Sequence, residues 1–291
     1  MTASSLGYRA AAPTGAAAGT LFLSAAHDGV RTRPARTESA GTLRLMAPLY
    51  LDDSGQLTYV LVSPGGAYFG ETYHIEMEVQ PGANLLVSSQ GATRIYRTPQ
   101  EPACQEAVFR VGAGARFEYV PEQTIAYRDA DYRATTSITA AADAQAFVGE
   151  IVTPGWDPDG VPFTYLGMRL RTDVFNEEGR PALTDNVRIA PEAIGPALSG
   201  IGYLEGSSHM GSVLVLGPQT QGAYIDEVRA IATASGLPRV GVTAGSRHGL
   251  SWLMVRALAP STDALAALIS AVNTYDRSVT TGQGRLDLRR Y

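Results

Sequence analysis

The feature that most constrains this chain is a turn-and-strand unit that returns at nearly fixed spacing. Pro81-Gly82-Ala83-Asn84-Leu85-Leu86-Val87 is echoed by Ala113-Gly114-Ala115-Arg116-Phe117-Glu118-Tyr119, 32 residues on, and again by Ala142-Asp143-Ala144-Gln145-Ala146-Phe147-Val148, 29 further on. Each unit is a tight turn followed by an apolar run. Repeats of this length suit stacked β layers, in which each layer buries its apolar edge on the next. A β-sandwich has a similar rhythm, so the spacing alone leaves both open.

The surrounding sequence supports a mostly β fold. From about Leu21 to Leu216, short runs are divided by Gly, Pro, Asp and Asn. Leu57–Val62, Tyr73–Val79, Phe109–Val111, Arg116–Val120, Ala134–Thr139, Phe147–Val152, Met168–Phe175 and Val187–Ile189 read as strands. Tyr73–Val79 alternates cleanly, with Ile75, Met77 and Val79 on one face and His74, Glu76 and Glu78 on the other. The last quarter changes period. Ile225, Val228, Ile231 and Ala232 predict a helix over about 222–236, stopped by Gly236 and Pro238. Ser261 caps a second helix over about 261–275, with Leu265, Leu268, Ile269 and Val272 as its apolar stripe. Leu250–Leu258 reads as a strand between them, and Gly282–Tyr291 as a polar arm or late edge strand. Residues 1–18 read as a flexible lead into one domain over 19–291.

Composition removes several classes of function. All 23 basic residues are arginine, so neither a Schiff-base lysine nor a P-loop lysine exists. The net charge of −5 gives no reason to expect nucleic acid as a partner. A single cysteine, Cys104, rules out a disulfide within the chain and suits a reducing, cytoplasmic setting. No run of about 18 apolar residues predicts a membrane span, and the Ala-rich start lacks the basic flank of a signal peptide.

Catalytic signatures are sparse. None of His27, His74, His209 and His248 sits beside a nucleophile elbow, and Gly245-Ser246-Arg247-His248 reads as a loop. There is no H-E-x-x-H, no C-x-x-C and no histidine pair at helical spacing; Cys104 and His74 are left as neighbours only by conjecture. The glycine-rich Ser63–Thr72 stretch lacks the phosphate-loop pattern. Carboxylates are plentiful in the β region, at Glu71, Glu76, Glu78, Glu118, Glu122, Glu150 and Asp185. Most would form a solvated face. Glu118 and Glu150 differ, because each interrupts an apolar run, FEYVP and FVGEIV. A carboxylate there needs a partner or a wet channel.

Several motifs in order carry a resemblance. Pro64-Gly65-Gly66 to Gly70-Glu71, the Gly82-Ala83 turn, Ser88-Ser89-Gln90-Gly91-Ala92-Thr93-Arg94-Ile95-Tyr96-Arg97 and Phe117-Glu118-Tyr119-Val120-Pro121-Glu122-Gln123-Thr124-Ile125 resemble the urease accessory protein family UreD, also called UreH. The likeness resumes at Phe147–Gly155 and covers about residues 20–291. Glu71 stands where the family has Asp, and Arg94 where it has Lys. Gly155-Trp156-Asp157-Pro158-Asp159-Gly160 replaces the family's second glutamate segment.

The resemblance implies an elongated, solenoid-like β fold with two late helices. It implies a non-enzymatic role in urease maturation, binding UreF and through it the GTPase UreG, docking on the urease apoprotein and helping to deliver nickel. A dimer within that complex is compatible with it. No tightly bound cofactor and no high-affinity metal site are expected, only Ni2+ in transit. Glu71, Glu118, Glu150 and Asp185 are the candidate lining of that path, since scattered oxygen ligands hold nickel loosely. Gln90, Arg94 and Tyr96 form a polar line beside it, with Ile95 facing the other way, and Arg94 is a candidate partner of Glu71 or Glu118. Two other readings stand: a β-solenoid hydrolase or lyase using Glu118 with Glu150 as a carboxylate pair, and a structural interaction module without a metal role.

Overall fold

A computed structural model describes residues 18–62, 67–195, 198, 200 and 202–286. The Pro64-Gly65-Gly66 motif, nearly all of the lead segment and the last five residues lie outside them.

The chain enters along β1 (Gly19–His27), turns back along β2 (Thr32–Gly41) and adds the short β3 (Arg44–Leu45). It then winds in coils, each with a strand on up to three sides. The first contributes β4 (Leu57–Val62) and β5 (Ala67–Tyr68). Then come β6 (Thr72–Val79), β7 (Asn84–Ser89) and β8 (Thr93–Ile95), followed by β9 (Ala103–Val111), β10 (Arg116–Val120) and β11 (Thr124–Ala126). The last coil has β12 (Asp131–Ala140) and β13 (Gln145–Val152); its third side is only a parallel bridge from Trp156 to Tyr127. β14 (Gly167–Asn176) adds one more parallel strand beside β12, and antiparallel strands then complete both sheets: β15 (Pro181–Ile189), β16 (His209–Leu216), β17 (Arg239–Arg247) and β18 (Leu250–Ala259). One short helix, α1 (Pro191–Ile194), and two longer ones, α2 (Ala223–Ala234) and α3 (Thr262–Thr280), lie among them.

The stacked-coil reading is therefore correct, and the sequence echo is the ladder register itself. Asn84 pairs with Arg116 and Arg116 with Gln145 in parallel ladders, the same offsets at which the turn units recur. The turns repeat too. Ala83 N–H donates to the Gln80 carbonyl, Ala115 to Gly112 and Ala144 to Ala141, at 3.0, 3.0 and 3.1 Å. Gly82 and Gly114 supply positive φ at that corner, 71° and 62°, which an L side chain adopts only under strain.

Two main sheets result. The first runs β15-β14-β12-β9-β6-β1-β2, the second β17-β18-β16-β13-β10-β7-β4-β3, and β5, β8 and β11 make a short third side. Between the sheets lies the core, with Leu23, Ile75, Met77, Leu85, Phe109, Phe117 and Ile138 all excluded from solvent. β6 shows why alternation works here: Tyr73, Ile75, Met77 and Val79 are buried, while His74, Glu76 and Glu78 sit on the outer face. α2 and α3 cover the outer face of the second sheet and form a second core there with Phe147, Val213, Val255 and Leu265.

The helices fall where the periodicity puts them, but α3 runs five residues past 275, to Thr280. Its predicted stripe of Leu265, Leu268, Ile269 and Val272 is buried, and Ser261 accepts the capping bond from Ala264 N–H at 3.3 Å. α2 buries Tyr224, Val228 and Ala232. One expectation needs correcting. Gly245–Arg247 is not a loop but the end of β17, and His248-Gly249 is a two-residue hairpin turn with φ of 51° and 84°. No helix among the described residues is long and apolar enough to cross a membrane.

Candidate functional site

Glu118 and Glu150, the two carboxylates in apolar strands, point to opposite faces of the second sheet. Alternation decides this. Glu118 sits on β10 between Phe117 and Tyr119, which face the inter-sheet core, so its own side chain turns outward beneath α3. On β13 the register moves the parity by one. There Gly149 faces α3, with Ile269 Cγ2 only 3.1 Å from where a Cβ would stand, and Glu150 faces inward.

Glu118 is fully buried and fully bonded. Arg277 Nη1 donates to its Oε1 at 2.6 Å, Gln56 Nε2 at 2.8 Å and Arg116 Nε at 3.1 Å; Asn273 Nδ2 donates to Oε2 at 2.8 Å. The cluster extends further. Arg116 Nη2 reaches Asp276 Oδ2 at 2.8 Å, Arg277 Nη2 reaches Asp52 Oδ2 at 2.6 Å, and Tyr224 O–H donates to Asp276 Oδ1 at 2.7 Å. Burial pushes the Glu118 carboxyl up, but Arg116 and Arg277, with Asn273 and Gln56 donating, outweigh it and hold it below the usual range. The cluster thus pins α3 to the coils through ion pairs and hydrogen bonds.

Glu150 lives in the opposite regime. It lines a narrow cleft of about 60 Å³ between the two sheets, together with Asp185, Ser212, Glu122, Tyr119 and Tyr132. The register builds this cleft. Glu150 lies opposite Ser212, and Ser212 opposite Arg256, on the second sheet; Thr172 lies opposite Asp185 on the first. Arg256 Nη2 crosses between the sheets to Asp185 Oδ2 at 2.5 Å. Burial, helped by the Asp185 charge and only partly countered by Arg256, raises the Glu150 carboxyl to about 7. Ser212 Oγ and Arg256 Nε are buried there without a hydrogen-bond partner among the described residues. Buried orphans of that kind are where bound water or an ion is expected.

The structure therefore brings Glu150 and Asp185 together and leaves Glu118 and Glu71 elsewhere. Glu71 is exposed before β6, and its Oε2 accepts at 3.5 Å from the Tyr73 hydroxyl. A hydrolase pair made of Glu118 and Glu150 is not formed, because the sheet stands between them. Of the expected polar line, Gln90 and Arg94 are exposed and Tyr96 is half-buried, while Ile95 between the last two is buried. The cations on Glu118 are Arg116 and Arg277, not Arg94. Tyr96 joins an outward aromatic row on the third side: Phe69 to Tyr96, Tyr96 to Tyr127 and Tyr127 to Trp156, at 5.3, 4.7 and 4.8 Å between ring centres. The divergent Gly155–Gly160 segment supplies the last rung, and its Asp157 accepts from Arg128 Nη2 at 2.7 Å. On the outer face of the first sheet, Cys104 lies opposite Thr72 and His74 opposite Glu106, so those two are in neighbouring rows. Among the described residues no three His, Cys, Asp or Glu side chains group closely enough to hold a metal ion.

Sequence reading missed Arg256, Ser212 and the partners of Glu118. Two signals were present. Arg116 lies two residues before Glu118, hence on the same face of its strand. Asp276 continues the helical stripe through Leu268, Ile269 and Val272, so a charge there is buried and needs a cation.

Comparison with known proteins agrees with this architecture. A family model described as UreD urease accessory protein matches residues 17–290. A urease accessory protein UreD of Arthrobacter sp. (strain FB24) is 42% identical over 279 residues, covering 94% of each chain. That of Actinomyces naeslundii is 40% identical, covering 94% of this chain and 98% of its own. That of Corynebacterium glutamicum (strain ATCC 13032) is 35% identical, covering 86% and 89%. With the match running nearly end to end over a coiled β stack closed by two late helices, the chain belongs to the UreD family of urease accessory proteins.

Proposed function

We propose that the chain is a non-catalytic scaffold of urease maturation that passes nickel along the inter-sheet cleft. In this reading it associates with UreF, and through it with the GTPase UreG, and the assembly docks on the urease apoprotein. The observation that supports passage is the cleft at Glu150 and Asp185: two carboxylates, one shared cation and buried polar atoms without a hydrogen-bond partner among the described residues. Oxygen donors without thiolate or imidazole suit an ion that must leave again. A Glu150 carboxyl that rests near neutrality adds a means of release. An arriving dication favours the ionised form and displaces the proton; reprotonation weakens the hold.

Glu118 has no such role in this reading, since its oxygens already accept four hydrogen bonds from Arg277, Gln56, Arg116 and Asn273. Glu71 would act at most at an entrance. The test is urea hydrolysis by the cognate urease operon in a urease-negative host supplied with nickel. Omitting this gene should abolish activity. Glu150→Ala with Asp185→Ala should lower it at unchanged protein level, and Glu71→Ala should not. Full activity from the double variant would remove the passage; full activity without the gene would remove the maturation role as well.

A further inference from the structure

The outer face of the first sheet carries a cationic row that neither the fold nor the cleft uses. Arg133 on β12 lies directly opposite Arg169 on β14, and Arg169 opposite Arg188 on β15. Strands are spaced about 4.8 Å apart, so three guanidiniums follow one another across about 10 Å. Like charges placed directly opposite in a sheet are unfavourable. All three arginines are exposed, and all three line one open depression of about 530 Å³ with Met168, Asn186 and Ile189.

Their compensation is incomplete. Arg133 Nη2 donates to Asp131 at 2.9 Å, and Arg169 Nε donates to the neutral Asn186 amide oxygen at 3.1 Å. Arg188 has neither hydrogen bond nor ion pair among the described residues. The arrangement stands out on a chain of net charge −5, where a basic face is not a general property of the surface.

We propose that the row Arg133-Arg169-Arg188 is a docking surface for an acidic segment of a partner protein, its carboxylates bridging guanidiniums of adjacent strands. Guanidinium forks match carboxylates two bonds at a time, and a segment crossing the strands meets one fork per strand. Nucleic acid fits less well: a phosphate backbone calls for a longer basic track than three residues beside Asp131. The inference rests on the reading that the chain works inside a protein assembly, but its test does not require urease.

The experiment measures fluorescence anisotropy of a labelled Glu-rich decapeptide with the purified full-length chain, at about 0.03 M and about 0.3 M salt. Its Gln counterpart, unlabelled inorganic phosphate and a labelled single-stranded oligonucleotide serve as comparisons. The acidic peptide should bind at low salt and weaken at least about tenfold at high salt. The Arg169→Glu/Arg188→Glu variant should lose at least about tenfold at low salt with unchanged circular dichroism; Arg169→Lys/Arg188→Lys, which keeps the charge but not the planar fork, should fall between the parent and that variant. The inference is overturned by equal binding to variant and parent, by equal binding of the Gln peptide, by displacement with millimolar phosphate, or by tighter binding of the oligonucleotide. A misfolded charge-reversal variant leaves the decision to Arg169→Gln/Arg188→Gln, which should still lose severalfold. Should urease mature without the gene while the peptide binds, only the maturation reading fails.

Discussion

Two acids at Glu150 and Asp185 share one nearby cation, Arg256, and that imbalance has a thermodynamic signature. Glu150 has a carboxyl raised from 4.5 to about 7 by burial and by Asp185. A raised carboxyl keeps its proton longer in the folded chain than in the unfolded one. Its contribution to stability is thus complete below pH 4.5 and is lost as pH rises through 7, by up to about 3 kcal/mol. Glu150→Gln should leave the melting temperature near that of the parent at pH 5 and raise it above the parent at pH 8. A gap that stays constant across that range would refute the assignment. Glu118 should respond in the opposite sense to substitution. Glu118→Ala leaves Arg116 and Arg277 buried without their shared anion, which costs about 3–5 kcal/mol. Soluble yield and the chemical denaturation midpoint should both fall. A midpoint within error of the parent would mean that water replaces the carboxylate without cost.

At the scale of elements, α3 is held by a cap, an apolar stripe and the charged cluster, and each can be weighed separately. Ser261→Ala removes the capping acceptor and should cost about 1 kcal/mol. Leu265→Ala empties a fully buried position against the second sheet and should cost about 2–5 kcal/mol. If thermal denaturation ranks these the other way, α3 is not anchored chiefly by packing. Gly70→Ala probes the joint between coils, because a Cβ there would lie 2.3 Å from the Glu101 carbonyl oxygen. Backbone cannot yield as a side chain can, so this change should cost at least about 1–3 kcal/mol. Elements were also the level at which sequence spoke most clearly. β6 announced itself by alternation, β10 by its recurring turn and apolar run, and α3 by Leu265, Leu268, Ile269 and Val272. The long β2 did not, because as an edge strand it is exposed along almost its whole length and carries no apolar face. The cleft was half legible. Glu150 broke an apolar run and could be singled out, but its grouping with Asp185 and Arg256 depends on which strands pair and on the hand-over from parallel to antiparallel ladders. Nothing local in the chain reveals that. The same limit hid the opposite orientation of Glu118 and Glu150: each reads alike in its own strand, and only the register between β10 and β13 separates them.

For the whole molecule, the long parallel ladders join segments far apart in sequence, so loop closure must precede most of the stabilising contacts. Refolding from denaturant should be slow, on the order of seconds, for a chain of this topology. Stopped-flow fluorescence from Trp156 and Trp252 can check this, and a millisecond phase carrying the full amplitude would contradict it. The charged cluster beneath α3 gives that topology a direction. Gln56 meets Arg277 across 221 positions and Asp52 meets it across 225. During synthesis every coil can therefore be complete while Glu118 and Arg116 still look out onto water. The last helix arrives as a keystone, so a ribosome that stops before Arg277 releases a chain whose unfinished state is displayed on its surface, where the cell's proteases and chaperones can read it.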